Sequence, residues 1–311
     1  MPENQLFLPE GLWPLSDCSL PALRAAADSG TILCAAAGRC GPDRTLYFFG
    51  SGLRGRMPRD EAVAPWISGA ERDISVLSRV GKPNCFTVKS VSSDARGAPV
   101  ALLSRREAQE RAMDYFLAHL QPGAVLKCQI TRLEAFGAFL DIGCGIVAML
   151  PIEQISVSRI AHPRDRFLPG QQILAAVLSI DRQQRRITMT HRELLGTWME
   201  NASRFSPGET VCGTVRSIKE YGSFIELAPN LSGLADTKEG VAEGDAVSVY
   251  IKSIRPERMK VKLQIIEKLP APSAPAPLCY QVTDGVLTRW VYSPPGCEKP
   301  TVETDFTAAC P

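Results

Sequence analysis

The sequence predicts a mainly β chain: five-stranded barrels in tandem, joined by short helices and followed by a Pro-rich linker and a C-terminal hairpin. Three observations predict it. First, the chain repeats itself: Pro122-Gly123-Ala124-Val125-Leu126 returns as Pro207-Gly208-Glu209-Thr210-Val211, and a strand-like run follows each. Second, each repeat goes on to an aromatic-Gly-small-Phe turn, Phe136-Gly137-Ala138-Phe139 in one and Tyr221-Gly222-Ser223-Phe224 in the other. Third, short apolar runs alternate with turn residues after each. Five such runs in roughly 70 residues suit a small barrel better than βαβ units.

Residues 21–104 read as a fainter copy. Gly30-Thr31-Ile32-Leu33 matches the Gly-initiated start, and Leu46–Phe49 is a strand. Gly55-Arg56-Met57-Pro58 parallels Ala148-Met149-Leu150-Pro151, and Phe86–Val91 with Val100–Leu103 would close the unit. This copy lacks the aromatic-Gly turn. Its Gly50-Ser51-Gly52-Leu53-Arg54-Gly55 fits GxGxxG, but a dinucleotide site needs a helix directly afterwards. Arg56-Met57-Pro58 reads as a strand and a break, so a barrel loop is expected there.

Residues 105–121 have helical spacing, with Ala108, Ala112, Phe116 and Leu120 on one face, and form a linker helix. Residues 122–192 are the clearest barrel. Residues 193–206 are a second, shorter link, and 207–266 are the next barrel. Residues 267–311 hold the Pro-rich linker and the tail. There Tyr280–Thr283, Asp284-Gly285 and Val286–Tyr292 read as a hairpin with a tight turn.

Strand side chains alternate between faces. Leu140 and Ile142, like Ile225 and Leu227, take the core face; Phe139 with Asp141, and Phe224 with Glu226, then face solvent. A Phe on a wet strand face needs a reason. The Gly before it lets the chain bend, so that Phe136 and Tyr221 can sit beside Phe139 and Phe224 on the same outer surface.

With 45% hydrophobic and 22% charged residues, the 311-residue chain can build packed cores. A net charge of +2 excludes a protein held to nucleic acid by bulk charge, so basic groups must act locally. The 10 cysteines include no CxxC, and with 3 histidines they fit no metal template. Met1–Gln5 offers no basic, then apolar, leader, and no run is long enough to span a bilayer. A cytoplasmic protein with free thiols and no membrane partner is expected. Ser156, Ser158 and His162 do not make a nucleophile–base pair, and Glu153 with Asp165 makes no acid–base pair. No catalytic residue, metal site or cofactor is expected.

The run Pro122–Arg192 resembles the S1 domain, an RNA-binding OB-fold. The resemblance rests on the Gly start, Phe136-Gly137-Ala138-Phe139, Ser158–Pro163, Phe167-Leu168-Pro169-Gly170, and Asp181 with Arg186-Ile187. Residues 207–266 look like a second copy and 21–104 like a degenerate one, a layout similar to short S1-type proteins of Gram-positive bacteria. The family's RNA surface implies roles for Phe136, Phe139, Asp181 and Arg186, and for Tyr221 and Phe224. Pro151 stands where the family has His; Arg255 or Pro256 takes the Asp place, and Lys260 falls near the Arg place. The first copy keeps neither aromatic, which favours a docking role.

Aromatic rings stack on unpaired bases, and Arg and Lys track the phosphates. The expected RNA-binding set is therefore Lys127, Arg132, Phe136, Phe139, Arg159, Arg164, Asp181 and Arg186 in one barrel. In the next it is Arg216, Lys219, Tyr221, Phe224, Lys252 and Lys260. Asp181 is equally readable as a turn residue. The function implied is capture of single-stranded RNA or mRNA in translation, with the small ribosomal subunit as a partner. The alternative is an OB-fold scaffold that docks proteins on the ribosome or another RNA-processing complex.

Overall fold

The computed structural model describes residues 5–50, 53–67, 69–270 and 277–307. Three closed five-stranded barrels follow one another. The first holds β1 (Leu33–Cys40), β2 (Leu46–Gly50), β3 (Leu53–Met57), β4 (Pro83–Ser93) and β5 (Pro99–Ser104). The second holds β6 (Val125–Glu134), β7 (Gly137–Asp141), β8 (Val147–Pro151), β9 (Gln172–Asp181) and β10 (Arg186–Thr190). The third holds β11 (Thr210–Lys219), β12 (Gly222–Ala228), β13 (Leu231–Ala235), β14 (Ala246–Arg255) and β15 (Lys260–Lys268). In each, the third and fifth strands close the barrel in parallel while the other pairs are antiparallel. Closure leaves no sheet edge unpaired.

The alternating pattern builds the cores as predicted. Ile130, Leu140, Leu150, Ile173, Val177 and Ile187 fill the second barrel; Val215, Ile225, Val247, Val249, Ile251 and Leu263 fill the third. The helix Arg105–His119 starts where Ser104 Oγ accepts the Glu107 N–H at 3.0 Å, and it buries Ala108, Ala112, Met113 and Phe116. The GxGxxG segment is a strand connection: Gly50 pairs with Leu53, Gly55 lies within β3, and the four-residue helix Arg59–Ala62 begins only after Pro58, while Ser51 and Gly52 lie outside the described residues.

Three expectations are corrected. Asp141, expected on the solvent face, is buried, because residues 5–12 lie across that end of the second barrel. The Glu10 N–H donates to Asp141 Oδ2 at 2.8 Å, and the Gly143 and Gly145 N–H groups donate to Oδ1. Burial and the nearby Glu10 charge push Asp141 up to about 7. Burial alone would raise Glu10 too, but Arg105 at 2.6 Å and Arg79 at 2.8 Å hold it below the usual carboxylate range. This hub joins the first barrel to the second.

Glu226, also expected outside, is buried between the second and third barrels. Arg166 approaches it at 2.6 Å and Arg216 at 3.0 Å. Burial raises its pKa, and the two guanidinium groups more than reverse that.

The hairpin lies elsewhere. Residues 280–287 pair with the second barrel instead of with each other: Val125 N–H donates to Gly285 O, Leu287 N–H to Gly123 O, and Gln281 N–H to Leu194 O. Tyr280, Val282 and Leu287 cover Val125, Ala176 and Leu194, which is more apolar burial than a self-paired ribbon could gain. The hairpin is β16 (Arg289–Val291) with β17 (Glu303–Asp305). Of the Pro-rich linker, residues 271–276 lie outside the described residues.

Candidate nucleic-acid interface

The aromatic corners form in both later barrels. Phe136 and Phe139 stand edge to face with centroids 6.0 Å apart and planes at 89°. Tyr221 and Phe224 repeat this at 6.1 Å and 88°. Phe136 is 54% and Tyr221 69% exposed, values that rule out a core role for either ring. Gly137 and Gly222 make the corner possible by close approach. A Cβ on Gly137 would stand 2.4 Å from the Leu150 carbonyl oxygen, and one on Gly222 2.6 Å from that of Ala235.

Strand register assembles the rest. Phe139 pairs with Arg132 on β6 and Met149 on β8, and Met149 pairs with Thr188 on β10. The row Arg132–Phe139–Met149–Thr188 faces outward, since its strand neighbours Leu140, Leu150, Ile187 and Met189 are core. Arg132 places its guanidinium 4.5 Å from the Phe139 ring centre and lies 3.2 Å from Glu134. Arg186, two residues from Thr188, shares that face, and Asp181 is its cross-strand partner. Asp181 also accepts the Gln184 N–H at 2.8 Å, so it holds the β9–β10 turn as well.

Other expected residues fall apart from this row. Lys127 lies at the far end of β6, five residues from Arg132 and about 17 Å along the strand. Arg159 and Arg164 are exposed on the segment between β8 and β9. Ser158, beside Arg159, bonds to Ser232 of the third barrel. Arg166, Arg182, Arg185 and Arg192 are tied up internally, with Glu226, Leu117 O, Asp114 and Glu193 respectively.

In the third barrel, Arg216 is corrected: it is committed to Glu226 and to Asp165 at 3.5 Å, its side chain only 14% exposed. Lys219 is exposed beside the corner, paired with Gly222. Lys252 is exposed at the β14 bulge. The row here runs Ser217–Phe224–Leu234–Lys262. Lys260 shares its face, paired with Arg255, so Arg255 takes the place of Asp181. Arg255 was one of the two residues read for the Asp place, whereas Lys262, on the same face, was left out of the expected set. The signal was present in the Lys260-Val261-Lys262-Leu263 alternation, which puts both lysines on one outer face.

A buried histidine anchors the second barrel. His191 Nδ1–H donates to Ile155 O at 2.8 Å, and Nε2 accepts from the Tyr280 hydroxyl at 3.2 Å. Burial pushes His191 down to about 4. Among the described residues, no three His, Cys, Asp or Glu side chains are grouped to hold a metal ion, and no helix is long and apolar enough to cross a membrane.

Residues 119–192 match the S1 RNA binding domain. The small ribosomal subunit protein bS1 homolog of Bacillus subtilis is 32% identical over 170 residues, 51% of this chain and 44% of the relative. The bS1 protein of Leuconostoc lactis is 28% identical over 71% of this chain and 53% of the relative. The chain thus spans about half the length of the curated relatives it matches. A multidomain protein with nucleic acid binding domains from Streptococcus pneumoniae aligns over 76% of this chain and 73% of its own, at 13% identity and a TM-score of 0.25. The second barrel thus matches the S1 RNA binding domain in sequence, within a chain similar to the bS1 proteins of Gram-positive bacteria.

Proposed function

We propose that this chain captures single-stranded RNA, mRNA included, on the outer faces of its second and third barrels, as an S1-like translation factor of the cytoplasm. It acts by binding, without catalytic residues or cofactor. The small ribosomal subunit is its natural partner, by similarity to relatives that carry that name. One observation carries the reading: the same edge-to-face aromatic corner, with an exposed outer ring, occurs twice. Rings presented to solvent next to cations suit base stacking together with phosphate tracking. Two weak sites on one chain gain from effective concentration.

The test is anisotropy of fluorescent oligo-U with the wild type and with Phe136→Ala/Tyr221→Ala. Both rings are exposed, so the fold should survive their loss. Each lost stack costs roughly 1–3 kcal/mol, so the double variant should bind about 100-fold more weakly. An unchanged double variant, or no wild-type binding at low salt, overturns the reading. The docking-scaffold reading draws on one observation, the exposed Ile74, Leu77 and Val80 beside the first barrel. It predicts loss of a protein partner, with RNA affinity intact, in Ile74→Ser/Leu77→Ser.

A further inference from the structure

The first barrel lacks the aromatic-Gly turn, yet it carries an aromatic–arginine face of its own. Tyr47 and Phe49 lie two residues apart on β2, while Leu46 and Phe48 between and beside them are fully buried. Both rings therefore point outward. They are nearly parallel, at 8° with centroids 6.3 Å apart, and Phe49 is 55% exposed. Arg39 on β1 places its guanidinium 4.7 Å from the Tyr47 ring centre and 5.5 Å from that of Phe49. Across the sheet on β3, Arg56 pairs with Tyr47 and Arg54 with Phe49. Arg54 is 3.7 Å from Asp94, and the group borders an open cleft of about 400 Å³.

The position matches the second barrel strand by strand. In both, the first strand has a bulge, and the arginine just after it pairs with an aromatic on the second strand: Arg39 with Tyr47, Arg132 with Phe139. In both, that guanidinium lies over its partner's ring, at 4.7 Å and 4.5 Å. Tyr47 thus stands in the barrel where Phe139 stands. The second ring comes from the same strand, as Phe49, where the later barrels draw it from the turn.

We infer that the first barrel is a third RNA-contacting module, with bases stacking on Phe49 and Tyr47 and the sugar-phosphate backbone running along Arg39, Arg54 and Arg56. The inference rests on the single-stranded RNA reading of the later barrels. Charge selects this occupant over a protein: three arginines interleave with two rings, and among the described residues lining the cleft Asp94 is the one carboxylate, the pattern of a sequence-tolerant single-strand groove.

The test uses the full chain and a long oligo-U carrying 4-thiouridine, with photocrosslinks mapped by mass spectrometry. Crosslinks are expected within Tyr47–Arg56 as well as at the two later corners. Phe49→Ala, at an exposed ring, should weaken binding of the long oligo-U about tenfold. Arg56→Gln, which leaves the rings in place, should lower the dependence of log affinity on log salt by about 0.7. Crosslinks confined to the later barrels, or unchanged affinity in Phe49→Ala, overturn the inference, leave the proposed function standing, and free this face for a protein partner. Failure of the wild type to bind oligo-U overturns both.

Discussion

The second and third barrels hold the same aromatic corner in different ionic surroundings. Arg132 covers the Phe139 ring, where the third barrel has Ser217 beside Phe224. Asp181 faces Arg186 across the closing strands of the second barrel; Arg255 faces Lys260 in the third, and Lys262 joins the Phe224 row. The difference teaches which parts are fixed by packing. The corner depends on glycines that touch a neighbouring carbonyl, so no other residue fits there. The charges occupy exposed strand positions outside the core, and they can vary without disturbing the barrel. The third barrel should therefore lean more on phosphate attraction, and the second more on ring contacts.

The largest effect that sharpens this comparison concerns what ties the two barrels together. Arg166→Met removes one of the two cations around buried Glu226. Breaking such a buried pair costs about 3–5 kcal/mol, which urea unfolding would register. A cost near zero would mean that the barrels couple by other contacts.

Next comes acid sensitivity on the second barrel. His191 is neutral when folded and gains a proton more readily when unfolded, so its contribution to stability is lost as pH falls from 6.5 towards about 4. Thermal melts should show the wild type losing stability over that range relative to His191→Asn. Parallel curves would contradict this.

Salt dependence separates the two faces more finely. Lys260→Ala/Lys262→Ala should reduce the slope of log affinity against log salt by about 1.4, and Arg186→Ala by about 0.7. Equal reductions would erase the proposed division of labour. The smallest effect is expected at Asp181. As a turn residue bonded to Gln184, Asp181→Ala should change oligo-U affinity by less than about twofold. A lost preference for RNA over DNA would instead assign the carboxylate to the ribose 2′-OH.

Much of this was legible in the sequence. The repeated Gly-initiated start pointed to three five-stranded barrels, and the repeated aromatic-Gly-small-Phe turn marked both corners. What alternation does not reveal is what lies against an outer face. Asp141 and Glu226 sit at outward strand positions, as read, yet residues 5–12 cover one and Arg166 covers the other. Arg216 was lost from the site for the same reason. The Tyr47–Phe49 face was hidden differently. Its strand was recognised, but its aromatics follow one another on the strand instead of flanking a glycine, so a search for the turn passes over them.

The tail contacts carry a consequence for the order of folding. Tyr280 bonds to Leu174 and His191, residues 106 and 89 positions earlier, and Thr304 reaches Arg192 across 112. The whole third barrel is threaded between those endpoints. During synthesis the second barrel therefore emerges without its last covering layer and waits, with Val125, Ala176 and Leu194 uncovered, until more than a further domain has been made. Contacts of such long sequence separation form late. The nascent second barrel is thus a less stable object than the finished one, and its maturation is paced by the ribosome.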